Sequence, residues 1–108
     1  AIRSLITILL DNAVKYTNER GRIDVTLGKK KNRIYLSVFN TTEYISKEQT
    51  SRLFDRFYRT DISRNSQTGG YGLGLSIAAA TADSHKGKIM AETEDEKSLR
   101  ITVTFPGQ

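Results

Sequence analysis

Four of the eight glycines lie within six consecutive residues, at Gly69, Gly70, Gly72 and Gly74, and the last of them falls in the first turn of a helix predicted over residues 73–84. The free N–H groups and partial positive charge of a helix N-terminus attract anions, and glycines let phosphate oxygens approach without a Cβ in the way. The segment follows no strand, unlike a dinucleotide-binding turn, and lacks the Lys-Ser/Thr of a P-loop. A phosphate cradle and a flexible hinge are both open interpretations.

The composition is typical of one globular domain. The 108 residues have a mean hydropathy of −0.46, and no apolar run approaches the roughly 20 residues of a membrane-spanning helix. The absence of cysteine excludes disulfides, thiolate nucleophiles and cysteine-based zinc sites. A net charge of +5 favours anionic partners. The basic residues are scattered, however, and no stacking aromatics interleave them, so we expect no nucleic-acid partner.

Hydrophobic periodicity predicts a helix, two strands, a long connection, a second helix and two more strands. The first helix is expected over residues 2–17, with Gly21 as a left-handed cap after it. The strands are expected over residues 22–28, 33–39, 88–94 and 98–105. Ile23, Val25 and Leu27 alternate with polar residues, which predicts a hairpin with one buried face.

Strands with one apolar face need a cover, and amphipathic helices supply it. The pattern therefore predicts an α+β fold, a two-layer sandwich whose mixed, mostly antiparallel sheet is covered on one face by helices. The connection from residue 40 to residue 70 shows only a short helix, capped by Ser46 with Gln49 at the capping-box position. A connection this long is usually functional.

Two residues of the first helix are candidates for phosphate chemistry. The amide oxygen of Asn12 is of a type that binds Mg²⁺, which needs few protein ligands when phosphates supply the rest; an ordinary exposed Asn is the alternative. Lys15 either meets a phosphate or pairs with Asp11 four residues before it. The residues alone leave both questions open.

Three segments together resemble the sensor histidine kinases. Residues 9–17, Leu-Leu-Asp-Asn-Ala-Val-Lys-Tyr-Thr, are similar to the N box of that family. Residues 53–59, Leu-Phe-Asp-Arg-Phe-Tyr-Arg, are similar to its F box, and residues 69–78 to its second glycine box. The resemblance covers the whole chain, 1–108, and implies the Bergerat ATP-binding fold shared with gyrase-type ATPases. The chain is thereby expected to be a fragment of a longer protein.

The resemblance implies a role for particular positions. Asn12 would coordinate Mg²⁺ bridging the phosphates of ATP, with Lys15 beside the phosphates and Tyr16 near the adenine or ribose. Residues 46–70 would form the ATP lid. The other residues implied in nucleotide binding are Asn40, Ile45, Phe54, Arg56, Phe57, Arg59, Gly70, Tyr71, Gly72, Leu73, Gly74 and Leu75.

The chain departs from the family at the adenine end of this site. Asn40 stands where the family usually has the Asp that accepts from the adenine amino group. Thr42 and Tyr44 stand at the two glycines of the first glycine box, and Ile8 at a second Asn. We therefore expect weak ATP binding with poor base discrimination, and a gain in adenine affinity on Asn40→Asp combined with Tyr44→Gly.

The resemblance implies a kinase domain that presents the γ-phosphate of ATP to a histidine on a separate dimerisation domain. His85 would not be that acceptor, so the isolated chain is expected to be inactive. A response regulator, homodimerisation and a cytoplasmic position in a membrane-anchored bacterial protein are also implied. The alternative, motivated by the departures, is a degenerate module that docks or regulates without nucleotide.

Overall fold

The computed structural model describes residues 2–54 and 73–106. Its helices and strands follow the predicted order. They are α1 (Ile2–Tyr16), β1 (Ile23–Lys30), β2 (Arg33–Thr41), α2 (Lys47–Arg52), α3 (Leu73–Ser84), β3 (Lys88–Glu92) and β4 (Ser98–Pro106).

The strands form one sheet in the order β1-β2-β4-β3, with antiparallel pairing between every pair of neighbours. The predicted α+β fold is confirmed. The expectation of a mixed sheet is not met among the described strands, because none of their pairs is parallel.

The core lies between one face of this sheet and the helices α1 and α3. Alternation along β2 and β4 brings their apolar side chains to the same face. Opposite them, Leu5, Leu9 and Ala13 of α1 are at most 1% exposed, as are Ala78 and Ala82 of α3. The small alanine side chains let the two helices pack closely against each other.

The expectation that β1 buries its apolar face is wrong. Val25 and Leu27 are directly opposite the buried Val38 and Leu36 of β2, so they point to the helix side of the sheet. Their exposed fractions are nevertheless 52% and 73%. The helix α1 packs over β2, the second strand from that edge, and leaves β1 largely uncovered.

Gly21 is not the left-handed residue after α1. That conformation belongs to Arg20, which has a φ of 60°. Gly21 is required for a different reason: a Cβ there would lie about 2.5 Å from the side-chain oxygens of Thr17, Asn18 and Thr41. The segment therefore passes too close to neighbouring polar groups for any side chain.

Both strand connections are tight turns. Lys31 and Asn32 join β1 to β2 with φ values of 50° and 64°, as a two-residue hairpin turn with left-handed central residues requires. Between β3 and β4, the Asp95 carboxylate accepts hydrogen bonds from Lys97 N and Ser98 Oγ, which lower the pKa of Asp95. Thr93, expected at the end of β3, lies in this turn and accepts from Glu96 N.

Unlike the end of α1, the start of α2 has the cap that the sequence predicts. Ser46 Oγ accepts from Gln49 N, and Gln49 Oε1 accepts from Ser46 N, which completes the capping box of α2. At the end of α3, Gly87 N donates to Ala82 O, and the preceding Lys86 is left-handed with a φ of 61°. The predicted span of α3 is confirmed.

Candidate functional site

The first group of candidate residues lies along one side of α1. Asn12, Lys15 and Tyr16 are half-buried, in line with the half-buried Ile8 one turn before Asn12. Asn12 is therefore not on the fully exposed side of the helix, which carries Asp11 instead. Within the described residues, the Asn12 amide makes no hydrogen bond.

Lys15 is not paired with Asp11. Among the described residues, an ion pair joins Arg22 to Asp24 at 2.8 Å, and none joins Lys15 to Asp11. The interpretation of Lys15 as one half of a structural pair with Asp11 is therefore wrong. Its ammonium group lies at the half-buried edge of α1 without a carboxylate partner among those residues.

Asn40 is the most enclosed of the candidates. It lies near the end of β2, on the helix side of the sheet, and is 2% exposed. Its Nδ2 lies 3.0 Å from the carbonyl oxygen of Thr41. Because a carbonyl oxygen only accepts, this contact identifies the nitrogen end of the amide. The Oδ1 end has no hydrogen-bond partner among the described residues and is left as an acceptor.

Thr41 connects Asn40 to the segment that follows α1. Its Oγ1 donates to Asn18 Oδ1 at 2.7 Å and accepts from Arg22 N at 2.8 Å. Its main-chain N donates to Arg22 O at 2.9 Å, and its carbonyl accepts from Asn18 N at 3.3 Å. We call Asn18, Arg22 and Thr41, joined by these four bonds, the Thr41 clamp.

The Thr41 clamp is not apparent in the amino-acid sequence. Asn18 and Thr41 are 23 positions apart in the sequence, and the family resemblance implies no role for either of them. Gly21 was the available signal, because a glycine serves either a left-handed conformation or a close approach of other atoms, and the structure shows the second.

The segment after β2 carries the departures from the family pattern. Thr42 N donates to Lys97 O and Ile45 N to Glu96 O, both at 2.9 Å, so the segment is tied to the β3–β4 turn. Thr42 and Ile45 are 5% and 4% exposed. Tyr44 is 55% exposed and does not fill an enclosed position. Ile45 contributes its side chain to the core, as Leu75 does from α3.

The remaining candidates fall on the lid and the glycine segment. Phe54 is half-buried and packs against the core after α2. Leu73 and Gly74 begin α3. The other predicted residues, together with the rest of the lid from residue 55, lie outside the described residues: Arg56, Phe57, Arg59, Gly70, Tyr71 and Gly72.

Three further findings concern the described residues. No three His, Cys, Asp or Glu side chains among them are grouped so that they could hold a metal ion. A depression on the sheet face away from the helices is lined by Arg22, Phe39 and Arg100, among others, and includes none of the predicted nucleotide-binding residues. Within residues 2–54 and 73–106, no helix is long and apolar enough to cross a membrane.

Comparison with known proteins decides the family. All of the chain, residues 1–108, matches the family described as histidine kinase-, DNA gyrase B- and HSP90-like ATPase. The chain belongs to this ATPase family. Within the family it is similar to the sensor protein CiaH of Streptococcus pneumoniae, with 44% identity over 99% of this chain and 25% of the relative. The sensor histidine kinase YkoH of Bacillus subtilis is 41% identical over 99% of this chain and 23% of that protein.

Solved structures place the domain in the same group. The catalytic domain of the histidine kinase ThkA, in a nucleotide-free form, matches 97% of this chain and 65% of its own, with 30% identity and a TM-score of 0.78. The mycobacterial sensor histidine kinase MprB shares the fold, with a TM-score of 0.82 at 24% identity over 97% of this chain and 71% of its own. The resemblance to histidine kinases is confirmed, and the chain is an ATP-binding catalytic domain of the sensor histidine kinase type. It spans about a quarter of the length of the curated relatives CiaH and YkoH.

Proposed function

We propose that the chain binds ATP with the adenine base at Asn40 and the phosphates beside Asn12 and Lys15, and delivers the γ-phosphate to a histidine on another domain. The observation that carries this proposal is the state of Asn40. Asn40 is 2% exposed, and its Nδ2 is bonded to Thr41 O, whereas Oδ1 has no hydrogen-bond partner in the described part of the chain. The fully buried side-chain atom without a partner among the described residues is Thr17 Oγ1 and not Asn40 Oδ1, so Oδ1 is an acceptor that a bound donor can reach.

The phosphate end of the proposed site is the half-buried side of α1. Asn12 offers an amide oxygen and Lys15 a positive charge, and neither is engaged by a described residue. This donor set fits Mg²⁺, which is held in nucleotide sites by one or two protein oxygens and by the phosphates. When bound, Mg²⁺ would neutralise phosphate charge and hold the triphosphate in place. The structure of the kinase ShkA that shares this fold contains the ATP analogue AMPPNP, and its TM-score with this chain is 0.81.

The rest of the catalytic proposal concerns the whole protein. The acceptor would be a histidine on a dimerisation domain, and the phosphate would pass on to a response regulator. The intact protein would be a membrane-anchored homodimer with this domain in the cytoplasm. These proposals rest on the sensor kinases of which this chain covers about a quarter.

A second candidate function is a docking or regulatory module that does not use nucleotide. Ile8 favours it, because this side chain packs partly buried against the core where the family usually has a second Asn. Thr42 and Tyr44 at the glycine positions favour it as well.

Calorimetric titration with AMPPNP separates the two functions. The kinase proposal expects binding that strengthens when Mg²⁺ is added, because Asn12 would hold the metal and the metal would neutralise phosphate charge. Absence of binding up to millimolar AMPPNP, with and without Mg²⁺, would favour the docking module. AMPPNP binding that does not change when Mg²⁺ is added would contradict the proposed role of Asn12 but not the proposal that the chain binds ATP.

A further inference from the structure

An asparagine at the position that contacts the base can present two different groups to it, whereas an aspartate cannot. A carboxylate accepts hydrogen bonds at both oxygens, whereas an amide accepts at one end and donates at the other. Rotation of the amide by half a turn would exchange the two ends. Asn40 would then offer a donor to the base instead of an acceptor, and the preferred base would change with it.

The contact between Asn40 Nδ2 and Thr41 O fixes this choice. At 3.0 Å the two atoms form a hydrogen bond, and reversal of the amide would bring two acceptors, Oδ1 and the Thr41 oxygen, together instead. Because Asn40 is 2% exposed, water has little access to compensate the lost bond. The amide is therefore held in one orientation by the main chain of its own strand.

The Thr41 carbonyl is itself held in place by the Thr41 clamp. It accepts from Asn18 N, and the same residue is tied to Asn18 Oδ1, Arg22 N and Arg22 O through its side chain and main-chain nitrogen. Two of these four bonds use the Thr41 hydroxyl. The backbone of the strand end is thus fixed from the segment after α1.

We propose that Thr41 is a positioning residue: its clamped carbonyl holds Asn40 Nδ2, turns Oδ1 toward the base, and so determines how strongly the site prefers 6-aminopurine to 6-oxopurine nucleotides. This inference rests on the proposed function, because it requires that a purine base occupies the position facing Asn40 Oδ1. The amino group of adenine donates to Oδ1. The carbonyl of hypoxanthine would face Oδ1 with a second acceptor.

The test compares ADP with inosine diphosphate, IDP, which has an oxygen in place of the amino group at C6 and a proton on N1. Calorimetry on the unaltered chain is expected to give about tenfold or more weaker binding of IDP, the effect of an unpaired acceptor in an enclosed site and the opposite of the poor base discrimination expected from the sequence. Asn40→Ala should lower the ratio of the two dissociation constants to the part that the N1 proton contributes. Thr41→Val keeps the branched shape but removes the hydroxyl, and should lower the ratio about twofold to tenfold, since it removes two hydrogen bonds from the clamp.

Further variants separate positioning from simple structural damage. Thr41→Ser keeps the hydroxyl and should restore the ratio. Thr41→Val added to Asn40→Ala should leave the ratio unchanged, because no amide remains to be oriented. If Thr41→Val does not fold, Asn18→Ala removes one clamp bond while leaving Thr41 intact, and should lower the ratio in the same direction.

Three results would overturn the inference. The first is equal binding of ADP and IDP by the unaltered chain. The second is an equal loss of affinity for both nucleotides in Thr41→Val, which would mark Thr41 as merely structural. The third is failure of ADP to bind at all, which would overturn the proposed function as well; the first two results leave that function standing.

Discussion

Asn12 and Asp11 are neighbours on α1 that differ in exposure, and this difference allows a matched test of the phosphate end. Asn12→Ala is expected to abolish the Mg²⁺-dependent part of AMPPNP binding. It should change the free energy of unfolding by less than about 1 kcal/mol, since the amide makes no hydrogen bond to a described residue. Asp11→Ala, on the exposed side, should change neither property. Urea unfolding together with calorimetry checks both variants, and a loss of several kcal/mol in Asn12→Ala would identify Asn12 as a structural residue.

Asn40 shows how a contact alters an expectation drawn from sequence. The family pattern favours Asn40→Asp as a gain of adenine affinity, since a charged acceptor forms stronger hydrogen bonds than a neutral one. In the structure, however, the substitution replaces the Nδ2 donor with an oxygen facing the Thr41 carbonyl at a buried position. We therefore expect Asn40→Asp to destabilise the ligand-free chain by about 1–3 kcal/mol at pH 7.

Urea unfolding with and without ADP distinguishes these two effects of Asn40→Asp. The loss of stability without ligand should diminish at about pH 4, because protonation gives the carboxyl group a proton to donate to the Thr41 oxygen. Full stability at pH 7 would mean that the carboxylate turns away from Thr41. A gain in ADP affinity beside the loss of stability would agree with both the family pattern and the structure.

At the scale of elements, the same Leu→Ala substitution is expected to change the free energy of unfolding much more in β2 than in β1. Leu27 and Leu36 are cross-strand partners, but their exposed fractions are 73% and 9%. Leu36→Ala should lower the free energy of unfolding by about 2–5 kcal/mol, because it leaves a cavity in the core. Leu27→Ala should change it by less than about 0.5 kcal/mol, as expected for an exposed position. Equal effects in urea unfolding would show that β1 is covered in solution.

The sequence predicted the type and order of every described element, because periodicity, turn residues and caps are local signals. Strand ends differ from prediction by up to two residues, as at Lys30 and Glu92. The expectation that β1 buries its apolar face was wrong, because alternation identifies the face on which a residue lies but not how far a helix extends over that face. The motif spacing brought out Asn12 and Asn40 as candidates, whereas the Thr41 clamp depends on contacts between distant parts of the chain.

At the scale of the whole molecule, His85 is the one histidine, so it is the one possible histidine acceptor within this chain. It lies after α3, where Nδ1 is 2.9 Å from Thr81 O. Because a carbonyl only accepts, Nδ1 carries a proton in this contact and is not free to attack a phosphoryl group. The ring also packs edge-to-face against Phe105 of β4, with 6.4 Å between the centroids. His85 therefore lies at the end of α3 with its ring packed against the sheet.

We therefore expect no autophosphorylation of the isolated chain with radiolabelled ATP and Mg²⁺. The physical reason is the placement of His85, which lies in an exposed turn after α3 rather than on a helix of a separate dimerisation domain. Acid-labile label that appears on the chain and is lost in His85→Gln would contradict this expectation. Addition of a histidine-bearing dimerisation domain of a related sensor kinase as a separate chain should produce label on that domain alone, and Asn12→Ala should prevent it, which would connect the phosphate end of the site to transfer.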